Sequence, residues 1–271
     1  MAIDNLSPEM ILCVGEPAVM AEPFRERSFS FVYPLGHGLP LVKSNYFQLY
    51  SDPSAEDALT MEREGITDRF LFTQQYDLAV KPPSSALTRE QFLIPEDSLV
   101  FSVVGMHLQI DVDGTLLEMF EKIAVNSRAH FLFAGNFAGY SEKLEAHQSL
   151  RQTTTFIGFH EDNMAVHNIT DVFINPARSG GGTGVVYALR AELPVLSLRV
   201  GDGGLVTRAF PEIRDYDHMS EIALKMMEDQ TLLDTYKDIS RGEAPKFTGQ
   251  LIDRIMAEFE KFATTRSASF E

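Results

Sequence analysis

From residue 95 onward the chain alternates short apolar runs with amphipathic segments, and this alternation restricts the fold more than any other feature. The run 99–104 (Leu-Val-Phe-Ser-Val-Val) is rich in β-branched and aromatic residues and stops at Gly105. Across 116–125, Leu116, Leu117, Phe120, Ile123 and Ala124 recur at helical spacing. Further apolar runs at 130–134, 155–159, 171–174 and 194–198 read as strands. The stretches between and after them, at 141–150, 184–191, 219–229 and 232–239, read as helices. Strands that are apolar throughout are covered on both faces, and strand–helix alternation produces a parallel sheet.

The expected fold class is therefore α/β, a Rossmann-like parallel-sheet domain over 91–245 with a partial N-terminal α/β domain before it. Residues 1–90 hold that partial domain and a linker, with strands at 10–15, 28–33, 46–50 and 69–72. Between them 34–40 is rich in Gly and Pro, and Lys81-Pro82-Pro83-Ser84-Ser85 reads as the linker because consecutive prolines remove ladder donors. Residues 246–271 form a tail whose helix, 250–263, gathers Leu251, Ile252, Ile255, Met256, Phe259 and Phe262 on one face. That face needs an apolar surface, and the N-terminal part is the expected one.

Charge narrows the partners. A net charge of −16 and no basic cluster disfavour nucleic acid and anionic membrane surfaces. The single cysteine, Cys13, sits in an apolar run and reads as a packing residue in a reducing compartment. The start MAIDNLSPEM lacks the pattern of a signal peptide, and no run of ~18 apolar residues exists to form a transmembrane segment. A cytoplasmic protein is expected, its oligomeric state open.

The segment Asn175-Pro176-Ala177-Arg178-Ser179-Gly180-Gly181-Gly182-Thr183-Gly184 runs from a strand end into a helix. Glycines let the backbone approach a ligand, and the first helical N–H groups then face an anion. Thr183 adds a hydroxyl and Arg178 a cation suited to phosphate. The dinucleotide fingerprint fails at Val185 and the Walker pattern lacks its Gly-Lys-Ser/Thr. The plainer reading is a tight turn without a ligand, although so many glycines carry an entropic cost that a turn alone does not require.

With Ala188-Leu189 and Leu193-Pro194-Val195, this run resembles the signature of the C-terminal domain of GT-B-fold glycosyltransferases. Thr88-Arg89-Glu90 with Ile94-Pro95-Glu96-Asp97 resembles the "T-R-x-x-x-G-I-P-E-D" pattern opening that domain. Phe156-Ile157-Gly158-Phe159 resembles its "F-x-G" strand, and Pro34 to Pro40 with Tyr46 is similar to the acceptor-side segment of O-GlcNAc-transferase-like enzymes. The resemblance implies a nucleotide-sugar donor, a sugar or protein acceptor, transfer of a hexose or N-acetylhexosamine, and no metal or cofactor. It places His37 and Arg178 as catalytic candidates. Gly105, His107, Phe159, His160, Arg178, Ser179, Gly180, Gly181, Gly182, Thr183 and Tyr187 become substrate-binding candidates. Departures are explicit. Ser179 and Tyr187 stand where many relatives carry two glutamates, His107 lies where "G-x-R-L" has arginine, and Glu192 replaces a glycine. A further ~100 residues before Met1 would be needed for two complete Rossmann domains.

Other constellations have two readings each. His37 can act as a general base near neutrality or serve as a turn residue. His107 ends a strand at the edge where open α/β sheets bind ligands. Asp111-Val112-Asp113 reads as helix-start chemistry rather than a metal motif. Gly201-Asp202-Gly203-Gly204 reads as a flexible loop that closes over the sugar or simply turns. His160-Glu161-Asp162 begins a short helix, its acids acting as caps or its backbone holding the nucleotide base. The leading expectation is a metal-independent glycosyltransferase or its donor-binding portion. The alternatives are a non-catalytic glycosyltransferase-like partner protein and, on the same fold, a sugar-nucleotide epimerase.

Overall fold

The structure is a computed structural model and describes residues 8–14, 19–33, 39, 44–49, 53–67, 70–72, 78–126, 128–247 and 249–267. In chain order the elements are β1 Met10–Val14, β2 Phe29–Tyr33, β3 Tyr46–Leu49, α1 Ala55–Glu64 and β4 Phe70–Phe72. They continue with β5 Leu99–Gly105, α2 Leu108–Asp111, α3 Gly114–Ala124, β6 Ala129–Gly135, α4 Tyr140–Glu145, β7 Thr154–Phe156 and α5 Asn163–His167. The remainder are β8 Val172–Asn175, α6 Gly182–Arg190, β9 Val195–Ser197, α7 Gly201–Val206, α8 Tyr216–Glu228, α9 Gln230–Glu243 and α10 Leu251–Ser267. Two compact units result, 1–77 with 248–271 and 78–247.

In the first unit β1-β2-β3-β4 form a parallel sheet in sequence order. Phe29 and Phe31 of β2 are fully buried and meet Leu251, Ile255, Phe259 and Phe262 of α10. That contact takes four of the six apolar residues read on one face of the tail, whereas Ile252 and Met256 are exposed at 59% and 38%. Cys13 is half-buried against the cluster around Val32 and Phe47, and burial raises its thiol pKa. Helix α1, absent from the sequence reading, is fixed by a capping box. Ser54 Oγ accepts from the Asp57 N–H at 3.1 Å while the Asp57 carboxylate accepts from the Ser54 N–H at 3.2 Å.

The second unit is a five-stranded parallel sheet in the order β7-β6-β5-β8-β9. Its strand order reverses between β5 and β8, the topology of a Rossmann-like half-domain. All seven residues of β6 are buried, as expected of a strand covered on both faces. Asp113, Asp215 and Asp229 cap α3, α8 and α9 through their side-chain oxygens. Phe101, Phe120, Phe131 and Phe133 stack through the core, with Phe120 and Phe131 centroids 4.4 Å apart.

Three segments differ from the sequence reading. The helix expected over 141–150 stops at Glu145, because His147 leaves helical geometry and its ring lies 3.0 Å from the Glu121 carboxylate. The strand expected over 155–159 ends at Phe156, and Gly158 turns the chain away at φ 75°. The glycines at 201–204 form the first turn of α7 instead of a loop, and Arg199 holds the helix end by donating to the Gly204, Thr207, Arg208 and Phe210 carbonyls.

Candidate functional site

Parallel strands end at one sheet edge, and the reversal of strand order opens a crevice there. In this chain the crevice is a cleft of about 430 Å³ at the ends of β5, β6 and β8. Nine sequence candidates line it: Gly105, His107, Phe159, His160, Arg178, Ser179, Gly180, Gly181 and Thr183. Two lie elsewhere. Gly182 is buried in the first turn of α6, and Tyr187 is half-buried one turn further along. His37 lies outside the described residues. The cleft also takes in Glu161, whose backbone was a candidate to hold the base, and Met106, Asp111, Gly135 and Asn163, which were not singled out as ligand contacts in the sequence.

The largest departure concerns Arg178, read in the sequence as an available cation. Its side chain is 10% exposed, and its Nη1 donates to Asp111 Oδ2 at 3.0 Å and to the Val104 carbonyl at 3.1 Å. Its Nε donates to Asn175 Oδ1 at 3.0 Å. The fully buried Asn175 in turn donates from Nδ2 to Ser197 Oγ at 3.1 Å. Burial lowers the guanidinium pKa, while the hydrogen bond and charge of Asp111 oppose that shift. Arginine nonetheless stays charged. Asp111 therefore does not start a helix, as the sequence reading had it. Only Asp113 does so, accepting from the Leu116 N–H at 2.9 Å. Nη2 of Arg178 has no acceptor among the described residues.

This cluster explains part of the glycine content. A Cβ on Gly181, whose φ is +96°, would lie 2.3 Å from Asn175 Oδ1 and 2.7 Å from Arg178 Nε. One on Gly203 would lie 2.1 Å from Asn175 Nδ2. Around Gly180, by contrast, a Cβ would meet nothing within 4 Å.

Two helix N-termini meet here and have different fates. The Asp202 and Gly203 N–H groups of α7 donate to the Ser179 and Gly180 carbonyls at 3.0 and 3.2 Å, so α7 holds the loop. In α6 the first intrahelical bond runs from Val185 N–H to the Gly181 carbonyl at 3.1 Å. The N–H groups of Gly182, Thr183 and Gly184 precede it, and no side chain caps them. They are the positive end of the helix dipole, at a cleft lined by Gly181, Thr183 and Gly184.

The far rim is fixed by Asp162. Its carboxylate caps α5 through the Ala165 N–H at 3.0 Å and accepts from Ser84 and Ser85, both N–H and hydroxyl, at 2.6 to 3.3 Å. Desolvation alone would raise its pKa, and these donors outweigh it, holding the carboxyl well below the usual range. The segment read as a linker is thereby bonded to Asp162, whose sequence neighbours Glu161 and Asn163 line the cleft. Phe92 meets His160 edge-on, with centroids 6.3 Å apart.

Residues 99–229 match the family model described as "Glycosyl transferases group 1". No curated protein sequence matches the chain. Solved structures share the GT-B fold at low identity. TarM of S. aureus, in complex with fondaparinux, α-GlcNAc-glycerol and UDP, has a TM-score of 0.60 at 10% identity over 92% of this chain and 55% of its own. A glycosyltransferase from Rickettsia africae has a TM-score of 0.66 at 11% identity, covering 96% and 78%. WaaG, a glycosyltransferase involved in lipopolysaccharide biosynthesis, has 0.56 at 12%, covering 90% and 98%. The chain spans about half the length of the TarM structures.

Proposed function

Because residues 99–229 of this chain match the family model of the group 1 glycosyltransferases, we propose that its cleft binds a nucleoside-diphosphate sugar. The sugar, a hexose or N-acetylhexosamine, is transferred to a sugar or protein hydroxyl. The observation that carries this reading is the uncapped N-terminus of α6 beside Arg178 in one cleft at the strand-order reversal. As the glycosidic bond breaks, negative charge grows on the departing diphosphate. Fixed N–H donors stabilise such charge without reorganising, which is commonly the largest single catalytic contribution. The N–H groups of Gly182, Thr183 and Gly184, the Thr183 hydroxyl and Arg178 Nη2 supply those donors in this reading. Charge neutralisation here is assigned to the protein rather than to a metal. His107 and His160 are the titratable groups on the cleft wall nearest in kind to a proton carrier.

Calorimetric titration with uridine, guanosine and adenosine diphosphates tests the binding step. At least one is expected to bind, and Gly180→Trp, which adds bulk where a Cβ meets nothing, is expected to weaken it at least tenfold. No binding by the wild-type protein, or binding indifferent to Gly180→Trp, sinks the reading.

A second reading rests on one observation: the charge of Arg178 is already matched by Asp111. A non-catalytic relative would bind nucleotide and a partner without transfer. Release of free or transferred sugar from a labelled sugar nucleotide separates the two.

A further inference from the structure

We propose, resting on the nucleoside-diphosphate reading, that Asp111 is a positioning residue that sets how strongly Arg178 holds the diphosphate. Both residues line the cleft and both side chains are largely buried, Arg178 at 10% and Asp111 at 14% exposure. Arg178 is fixed from three sides, by Asp111, the Val104 carbonyl and Asn175. Only one of those partners carries charge. The carbonyl and the amide are enough to aim the guanidinium, so the carboxylate adds something they do not: it cancels the cation's field. An incoming diphosphate meets a pair that is neutral overall, with Nη2 as its remaining donor and a carboxylate close behind. The free N–H groups of α6 then provide attraction that Asp111 does not offset.

The arrangement has a purpose in a transferase. A bare, buried guanidinium would hold the diphosphate product tightly and delay its release, a step that often limits turnover. The pair keeps the donor geometry of Arg178 while tempering its grip. Asp111 comes from the end of α2 and Arg178 from the loop after β8, so the balance is made across the reversal of strand order. Nothing in the local sequence around either residue announces it.

The prediction is opposite in sign to that of a purely structural role. Asp111→Asn keeps an acceptor for Nη1 and removes the charge, so affinity for nucleoside diphosphate should rise about tenfold, the effect of one unit charge several ångströms away in a partly solvated site. Arg178→Gln should lower affinity, since it leaves Asp111 facing the ligand. The double variant Arg178→Gln with Asp111→Asn should regain about tenfold relative to Arg178→Gln alone. Dissociation constants for uridine, guanosine and adenosine diphosphates are measured by calorimetry, with thermal midpoints recorded for each variant. If Asp111→Asn does not fold, the double variant with its neutral pair decides the matter. Binding by wild type that is unchanged or weakened in Asp111→Asn, with no recovery in the double variant, overturns the proposal and leaves the functional reading standing. Absence of binding by wild type overturns both.

Discussion

Replacing Gly203 by alanine tests whether the Asn175–Arg178 cluster shapes the cleft. The new methyl group would sit 2.1 Å from Asn175 Nδ2, far inside contact distance, and the amide would have to move. Asn175 is fully buried, and its two hydrogen bonds, to Ser197 and from Arg178, fail together when it shifts. Buried polar groups left without partners cost about 1–3 kcal/mol each. Alanine's helix preference over glycine returns about 1 kcal/mol within α7. The net expectation is a loss of about 1–5 kcal/mol, with Arg178 released from one of its three anchors. The control is Gly180→Ala, whose Cβ meets nothing within 4 Å and should change stability by no more than about 0.5 kcal/mol. Urea denaturation gives the stabilities, and nucleoside-diphosphate titration gives the state of the cleft. If Gly203→Ala is as stable as wild type and binds equally well, the cluster does not organise the site and the reasoning fails.

Two further outcomes follow from groups outside the cleft. His130 and His167 are buried, and desolvation lowers both to about 4, with Arg89 adding to the effect on His130. The unfolded chain takes up those protons near pH 6.5 while the folded chain does not, so stability is full above pH 6.5 and falls as pH drops toward 4. By pH 5 each histidine should cost about 2 kcal/mol. Urea midpoints at pH 7.5 and 5.0, with His167→Phe removing part of the drop, check this, and a flat profile contradicts it. Among the described residues, Leu93 and Glu192 are the non-glycine residues of left-handed φ, each +57°. Leu93→Gly should gain about 0.5–1 kcal/mol in the same assay, because the side chain is 89% exposed and gives up no packing. Glu192→Gly should gain less, since its carboxylate bonds Arg241 at 3.0 Å. A loss of stability in Leu93→Gly rejects the strain argument.

Those two positions also show what a sequence discloses. The pattern "T-R-x-x-x-G-I-P-E-D" places glycine where Leu93 stands, and the segment before Leu193-Pro194-Val195 places one where Glu192 stands. Both residues hold a left-handed turn and bear its cost, a conformation that was not read from the sequence at either position. The parallel sheet, by contrast, was legible. Strands such as β6, buried along their whole length, cannot alternate polar and apolar residues, and that composition is visible without coordinates. Short-range signals fared worse where a long-range partner decided the outcome, as with His147 drawn to Glu121 or Ser84 and Ser85 drawn to Asp162.

The glycine segments at 180–184 and 201–204 make the same point at the site itself. Each opens a helix, and by composition either could receive an anion. In the fold, the N–H groups of α7 are spent on the carbonyls of Ser179 and Gly180, which leaves only α6 with open donors. Gly203 is small because Asn175 lies against it, and Gly181 because Asn175 and Arg178 both do. Their requirement for glycine arises from a buried polar cluster, and entropy arguments about the loop alone could not separate that from ligand approach. Gly180 is different, for no protein atom needs its missing side chain. The protein interior leaves its smallness unexplained, and it borders the cleft that the open end of α6 faces.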